Sequence, residues 1–457
     1  MAGIGFELLK MWKQGSYRSM LTAYSFTALI GAGPGLFIIF SLGIICFYSF
    51  LSTANLLLGY QFLSIVTHLL ATSMILSALF QYSFFRFMAD KIFSIEFDQI
   101  TPNFIGALFI QLCFSVFISV PLVFYFFLEQ SLSIKILLIS SFNILCMIWL
   151  SIVLLSGLKA YRFIIWGFAL GYYCMIVLYF LWARNDLIAF LFGFLLAQVI
   201  ILGFLFYAIL DYYPANECIK FDFLKKENLY FTLVFSNFFY ALGFWIDKFL
   251  FWYHPNTGFL IYPPLRLSPL YDLPMFIAYI VAIPATAIFL FHIEANFALV
   301  YPQYMKTIFQ RKPLSEIDAV RNELIQAGRN SVFSLFKAQS AMLIIAFLSM
   351  SYIFQQLEIL PIYLNLLFIL LVAVGLNIIL FGLLNILYYM TQYLHALIVS
   401  LVFAVCNGAF TLISLYAGPN YYGYGLGFSS LIAISCALLF LNHNFKNLEF
   451  TTFMMVD

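Results

Sequence analysis

Charge is what this 457-residue chain has least of. Asp, Glu, Lys and Arg together make up 9% of it, against about 25% in an ordinary soluble domain. A surface so poor in charge cannot be kept in water, which excludes a soluble enzyme, a nucleic-acid binder and a disordered scaffold. Other things are missing too. There is no CxxC pair, and the seven cysteines are scattered singly, six in apolar runs and Cys218 in a polar loop, so neither a redox pair nor a zinc site is expected. No G-x-x-x-x-G-K-[ST] occurs, so the chain carries no P-loop. The stretch Leu51–Tyr60 holds no acid, which argues against an intramembrane glycosyltransferase needing a carboxylate there as base or metal ligand. No catalytic constellation, metal site or cofactor motif appears, and no long polar insertion interrupts the chain. A cleaved signal is also not expected, because the apolar run after Arg18 is too long for one.

What is present is apolar length. Hydrophobic residues make up 65% and aromatics 20%, and about twenty apolar residues cross a hydrocarbon core. Runs of that length predict twelve spans, near 21–49, 61–85, 105–127, 136–157, 163–182, 188–210, 229–252, 274–300, 336–355, 361–386, 393–416 and 423–441. The expected fold class is an all-α membrane protein with both termini on one side. The twelve spans divide six and six at the basic loop near 211–228, between residues 1–228 and 229–457.

Cations give the orientation, because cytoplasmic loops accumulate Lys and Arg. With the N-terminus inside, 17 of the 21 cations fall on cytoplasmic segments. Lys135, Arg184 and Arg266 fall outside, and Lys248 lies within a span. Overall balance says nothing about partners, since 21 Lys and Arg meet 19 Asp and Glu. Two interfacial helices are expected. One lies in the first eighteen residues, where Phe6, Leu9, Met11 and Trp12 mix with Lys10 and Lys13. The other, near 314–329, starts at Ser315 with Asp318 as a capping box and repeats Ile317, Val320 and Leu324 at helical spacing. It is read as a helix on the inner headgroups or a docking surface for a cytoplasmic partner.

Ionisable groups inside a span each cost about 2.5–3.5 kcal/mol on insertion scales, and they mark partners or water. Asp247 and Lys248 stand together in the seventh span. Adjacent helical positions point about 100° apart, so the two are not expected to pair with each other. Arg266 is the expected partner of Asp247, and Asp272, before Pro274, that of Lys248. Tyr271 belongs to the same group. The cluster either fixes the outer ends of two helices or lines a translocation path. His68 in the second span and Glu294 near the inner end of the eighth are candidate proton relays. Gly33, Pro34 and Gly35, within Gly31–Gly35 of the first span, and Pro284 in the eighth are expected to kink or break their helices, as discontinuous helices in transporters do.

Three blocks carry a family resemblance. They are Met1–Leu8 with the following basic stretch, Ala23-Tyr24 and Gly33-Pro34; Gly243–Trp252 (GFWIDKFLFW); and Ser268–Tyr279 (SPLYDLPMFIAY) with Ile283-Pro284 and Ile293-Glu294. In these the chain resembles the PelG family of Pel exopolysaccharide transporters, although Leu9-Lys10-Met11 is less basic than that family's pattern. The resemblance covers the full length. It implies the multidrug/oligosaccharidyl-lipid/polysaccharide exporter (MOP) superfamily, with two six-helix bundles around a central cavity. It further implies export of a growing N-acetylgalactosamine-rich polymer from cytoplasm to periplasm for the biofilm matrix. The implied partners are the lipid bilayer, the polysaccharide, the cytosolic glycosyltransferase PelF and the membrane proteins PelD and PelE. It assigns no catalytic residue. A flippase for lipid-linked oligosaccharide, a small-molecule antiporter and a non-transporting scaffold of the synthase stay open beside it.

Overall fold

In hydrocarbon every backbone N–H and C=O must find its partner within the protein, so a long apolar segment becomes a helix. The computed structural model describes residues 16–51, 56–158, 160–181, 186–214, 217–356, 358 and 360–453. Among them, twelve helices are long and apolar enough to span a membrane, one for each apolar run. The interfacial helix expected before Gly15, together with Lys159 and Arg184, lies outside the described residues.

The helices are α1 (Tyr17–Leu51), α2 (Leu56–Phe93), α3 (Ile100–Phe126), α4 (Leu132–Gly157), α5 (Tyr161–Leu181), α6 (Leu187–Tyr212) and α7 (Phe231–Tyr253). A short antiparallel hairpin follows, β1 (Phe259–Tyr262) and β2 (Leu265–Leu267). Then come α8 (Pro269–His292), a π-helical turn (Ile293–Phe297) and α9 (Ala298–Phe309), which form one 41-residue span. The rest are α10 (Leu314–Gln356), α11 (Pro361–Tyr389), α12 (Tyr393–Ala417), α13 (Tyr424–Lys446) and the short α14 (Leu448–Phe453).

Two compact units result. The first comprises Gly33–Trp245 and Trp252–Ser268. Its core packs many aliphatic side chains around aromatics, among them Phe62, Phe104, Phe168 and Phe194, all buried. Phe62 and Phe190 meet edge-to-face at 5.4 Å, a favoured geometry of the ring quadrupoles. Asn103, buried near the start of α3, ties down the polar segment between α6 and α7. Its Oδ1 accepts from the Asp222 amide at 2.8 Å, and its Nδ2 donates to Asp222 Oδ2 at 3.3 Å. Lys225 pairs with the same carboxylate at 2.7 Å. The Lys225 ammonium first, and the Asn103 amide, hold the Asp222 carboxyl below its ordinary range.

The second unit comprises residues up to Ala32, Ile246–Phe251 and the chain from Pro269 on. Here α12 and α13 pack so closely that a Cβ on Gly425 would come within 2.6 Å of the Thr411 backbone nitrogen. Small residues permit such approach between membrane helices. In the same unit, Gly31 admits the Leu290 side chain, which a Cβ would meet at 2.4 Å.

Two expectations need correction. The segment near 314–329 is not a separate interfacial helix. It is the first part of α10, which runs unbroken for 43 residues into the ninth span. Nothing between 329 and 336 stops a helix, and Gly328 is buried against Phe297 and Phe445. Ser315 consequently sits inside the first turn rather than capping it, while Asp318 pairs with Arg321 at 3.3 Å. Arg321 also binds Glu449 of α14. The second correction concerns α1, whose helix continues through Gly31–Gly35 without the expected break. A membrane helix tolerates an internal proline because small local adjustments re-satisfy the freed carbonyl. What changes there is company: residues up to Ala32 belong to the second unit and those from Gly33 to the first. Pro284 likewise lies inside continuous α8, and the departure from α-helical geometry comes later, at the π turn.

Candidate functional site: buried charges of the seventh span

The seventh span has the lowest mean hydropathy of the twelve, 1.2, because it carries Asp247 and Lys248. Asp247 is wholly buried and Lys248 nearly so. A carboxylate in that position needs donors on both oxygens. Lys248 Nζ lies 3.1 Å from Oδ1 and 3.4 Å from Oδ2, and the Tyr271 hydroxyl of α8 donates to Oδ2 at 2.6 Å. The neighbours therefore do pair, against expectation. Their Cβ atoms diverge, but the four-carbon lysyl stem swings the ammonium back across that angle, and no water competes for the carboxylate. Lys248 Nζ also stands 5.5 Å from the centre of the Tyr279 ring, a cation–π contact. Tyr271 is in turn stacked flat on Phe251, 3.8 Å between centroids and 8° between planes, and Tyr422 meets Phe251 edge-on at 5.1 Å. These contacts all lie within the second unit. Asp272, beside Tyr271, is half-buried in the first turn of α8, where the helix dipole favours an acid.

The remaining candidates lie elsewhere. Arg266 is half-buried on β2 and interacts electrostatically with Tyr253, both in the first unit. His68 is buried in that unit. Its Nδ1 lies 2.8 Å from the Ser64 carbonyl. A carbonyl only accepts, which assigns the proton to Nδ1. Nε2 then faces the Tyr253 hydroxyl at 3.5 Å, and the ring tilts over Trp252 at 4.5 Å. Glu294 sits in the π turn of the second unit, and its Oε1 accepts from the Tyr389 hydroxyl at 2.6 Å. Gly33, Pro34 and Gly35 are embedded in α1, and no atom comes within 4 Å of a Cβ built on Gly35.

The site thus joins one buried ion pair and a tyrosine in the second unit, on a frame of twelve candidate spans. A family model described as "PelG: Putative exopolysaccharide Exporter (EPS-E)" matches residues 1–453.

The chain belongs to the PelG family.

Its frame is shared more widely. An outward-facing multidrug resistance MATE family transporter of the MOP superfamily superposes with a TM-score of 0.66 at 14% identity, over 99% of this chain and 100% of that one. A MOP superfamily transporter from Pyrococcus furiosus, described with a binding pocket of reversed polarity, gives 0.65 at 14% identity over 98% and 99%. An inward-facing MATE family transporter gives 0.59 at 13% over 92% and 96%. At such identities the likeness is one of fold. No curated protein matches. This PelG-family member is thus a multi-pass membrane protein of a transporter family, with the MATE-like fold.

Sequence reasoning missed several residues of the site. Tyr279 and Tyr389 each complete a charged group, yet in a chain with 30 tyrosines nothing in composition marks them out. Tyr279 lies eight residues after Tyr271, two helical turns on, and that spacing was the available signal. Asn237 was also missed. Buried in α7, it donates to the Ala78 carbonyl at 2.9 Å within the first unit.

Proposed function

We propose that this PelG-family protein exports a growing N-acetylgalactosamine-rich exopolysaccharide, Pel, across the inner membrane to the periplasm, supplying biofilm matrix. The observation that carries this reading is the family match over residues 1–453. Both termini are cytoplasmic in this reading, with 17 of the 21 cations on the cytoplasmic side. Residues 1–228 and 229–457 are its two six-span halves. The cytosolic glycosyltransferase PelF delivers the chain, and PelD and PelE complete the assembly. A polymer still held by its synthase cannot be occluded at both ends, so the passage stays open during synthesis and elongation supplies much of the drive. Asp247, Lys248, Tyr271, Asp272 and Arg266 line or brace that path, while Glu294 and His68 are its proton-carrying candidates. Gly33, Pro34, Gly35 and Pro284, inside continuous helices of the first and eighth spans, are its gating candidates.

The likeness to multidrug transporters favours a second reading, alternating-access export of a small or lipid-linked cargo. Periplasmic polymer and synthase co-purification, both measured in cells carrying Asp247→Asn or Arg266→Ala at normal protein levels, separate the cases. Loss of polymer with assembly intact supports the export path. Unchanged polymer assigns these charges to structure alone. Lost assembly identifies a scaffold, and normal polymer in cells lacking the protein removes polysaccharide as cargo.

A further inference from the structure

Where α8 turns π-helical, its continuation α9 runs beside the first part of α10, and a cleft of about 440 Å³ opens between them. The whole cleft belongs to the second unit. One wall is set by Asn296, Leu299 and Gln303, the other by Glu323, Gln326 and Asn330. Each wall keeps the i, i+3 or i+4, i+7 spacing that places residues on one helical face. Asn296 lies within the π turn. A π turn carries an extra residue, which rotates the downstream helix about its axis, and such turns collect at functional sites.

The lining has a definite chemistry. Four of these six residues are primary amides, each offering two donors and two acceptor sites, and one is a carboxylate that only accepts. Among the described residues no Lys or Arg lines the cleft, a lining that disfavours a phosphate. Buried Ala295, Val300 and Ala327 make an apolar floor that Leu299 extends, and Asn296 is oriented by its Nδ2 lying 3.1 Å from His292 Nδ1. Amide groups that donate and accept at the rim of a small apolar floor match a pyranose, whose hydroxyls do both and whose ring face is hydrocarbon. The volume falls in the usual range for small-molecule sites, about 300–1,000 Å³.

We infer that this cleft is a carbohydrate subsite, binding hydroxyl- and acetamide-bearing sugar units. It rests on the export reading above, which makes polysaccharide the ligand. By the same orientation it lies at the cytoplasmic end of the spans, where an arriving chain is first met.

The test is a titration of the full-length protein in lipid nanodiscs with an N-acetylgalactosamine oligosaccharide, followed by saturation-transfer NMR. Saturable binding is expected for the unaltered protein. The doubly substituted Gln326→Ala/Asn330→Ala protein is expected to bind about tenfold more weakly, from the loss of two amide partners. Both residues are exposed, so its thermal unfolding is expected to match that of the parent. Leu299→Trp, which fills the floor, is expected to abolish binding, whereas Glu316→Gln, outside the cleft, is expected to leave it unchanged. Binding of the double variant within twofold of the parent overturns the inference. So does absence of oligosaccharide binding by the parent protein in a host that still secretes polymer through it, which leaves the export reading standing. Secretion that persists without the protein removes that reading instead.

Discussion

Asp247 shows how a single side chain sets the chemistry of its surroundings. A buried charge is tolerated only when paired, and removing one partner of a buried pair costs about 3–5 kcal/mol, while replacing both with apolar residues is often neutral. Lys248→Met alone is therefore expected to lower the unfolding temperature in detergent sharply, and Asp247→Leu/Lys248→Met to recover most of the loss. Tyr271→Phe removes one hydrogen bond to a carboxylate, about 1.5–3 kcal/mol, and is expected to destabilise by that amount without changing expression. Equal damage from the single and double replacements would mean the ion pair is no unit. At this scale the sequence was informative about which charges lie inside a span and poor about whom they touch. Asp247 and Lys248 were legible because a charge in an apolar run is rare. Their mutual contact was not, because a rule about adjacent helical positions describes Cβ directions and ignores the reach of a lysine.

At the level of elements, the polar segment between the sixth and seventh spans is fastened rather than loose. Lys220 N–H donates to the Pro102 carbonyl at 3.0 Å, and Asn103 grips Asp222 from the side. Asn103→Ala removes both of those bonds and is expected to raise protease cleavage within 217–228 severalfold. Acid should act similarly. The folded-state pKa of Asp222 is depressed, so its contribution is complete above the ordinary value of about 3.9 and fades as pH falls through the lower folded value. Cleavage is thus expected to rise below about pH 4 in the parent, and Asp222→Asn to remove that pH dependence. A flat cleavage profile in the parent would sink this account. The sequence marked this segment only as basic and polar, since hydropathy cannot tell a tethered loop from a free one. It likewise showed Ile317, Val320 and Leu324 as a helical face but not that the helix continues, because a rise in hydropathy near 336 reads as a boundary even when the backbone has none.

For the molecule as a whole, the twelve spans were legible from length and apolarity alone, as each apolar run is one helix. Helices α1 and α7 each contribute to both compact units, and no local pattern announces which neighbours a lipid-embedded helix chooses. Orientation rests on charge and is open to direct measurement. Cys218 is exposed in the segment between α6 and α7. A membrane-impermeant maleimide is expected to label it in inside-out vesicles and to spare it in intact spheroplasts. Labelling from the periplasmic side would reverse the direction assigned to every loop.

The unbroken α10 sets a distance. Its 22 residues ahead of the ninth apolar run extend about 33 Å at 1.5 Å per residue, braced by α9 alongside and by the Arg321–Glu449 contact to α14. A rod held along its side in this way moves as one piece, so a displacement at its first turn is carried into the ninth span.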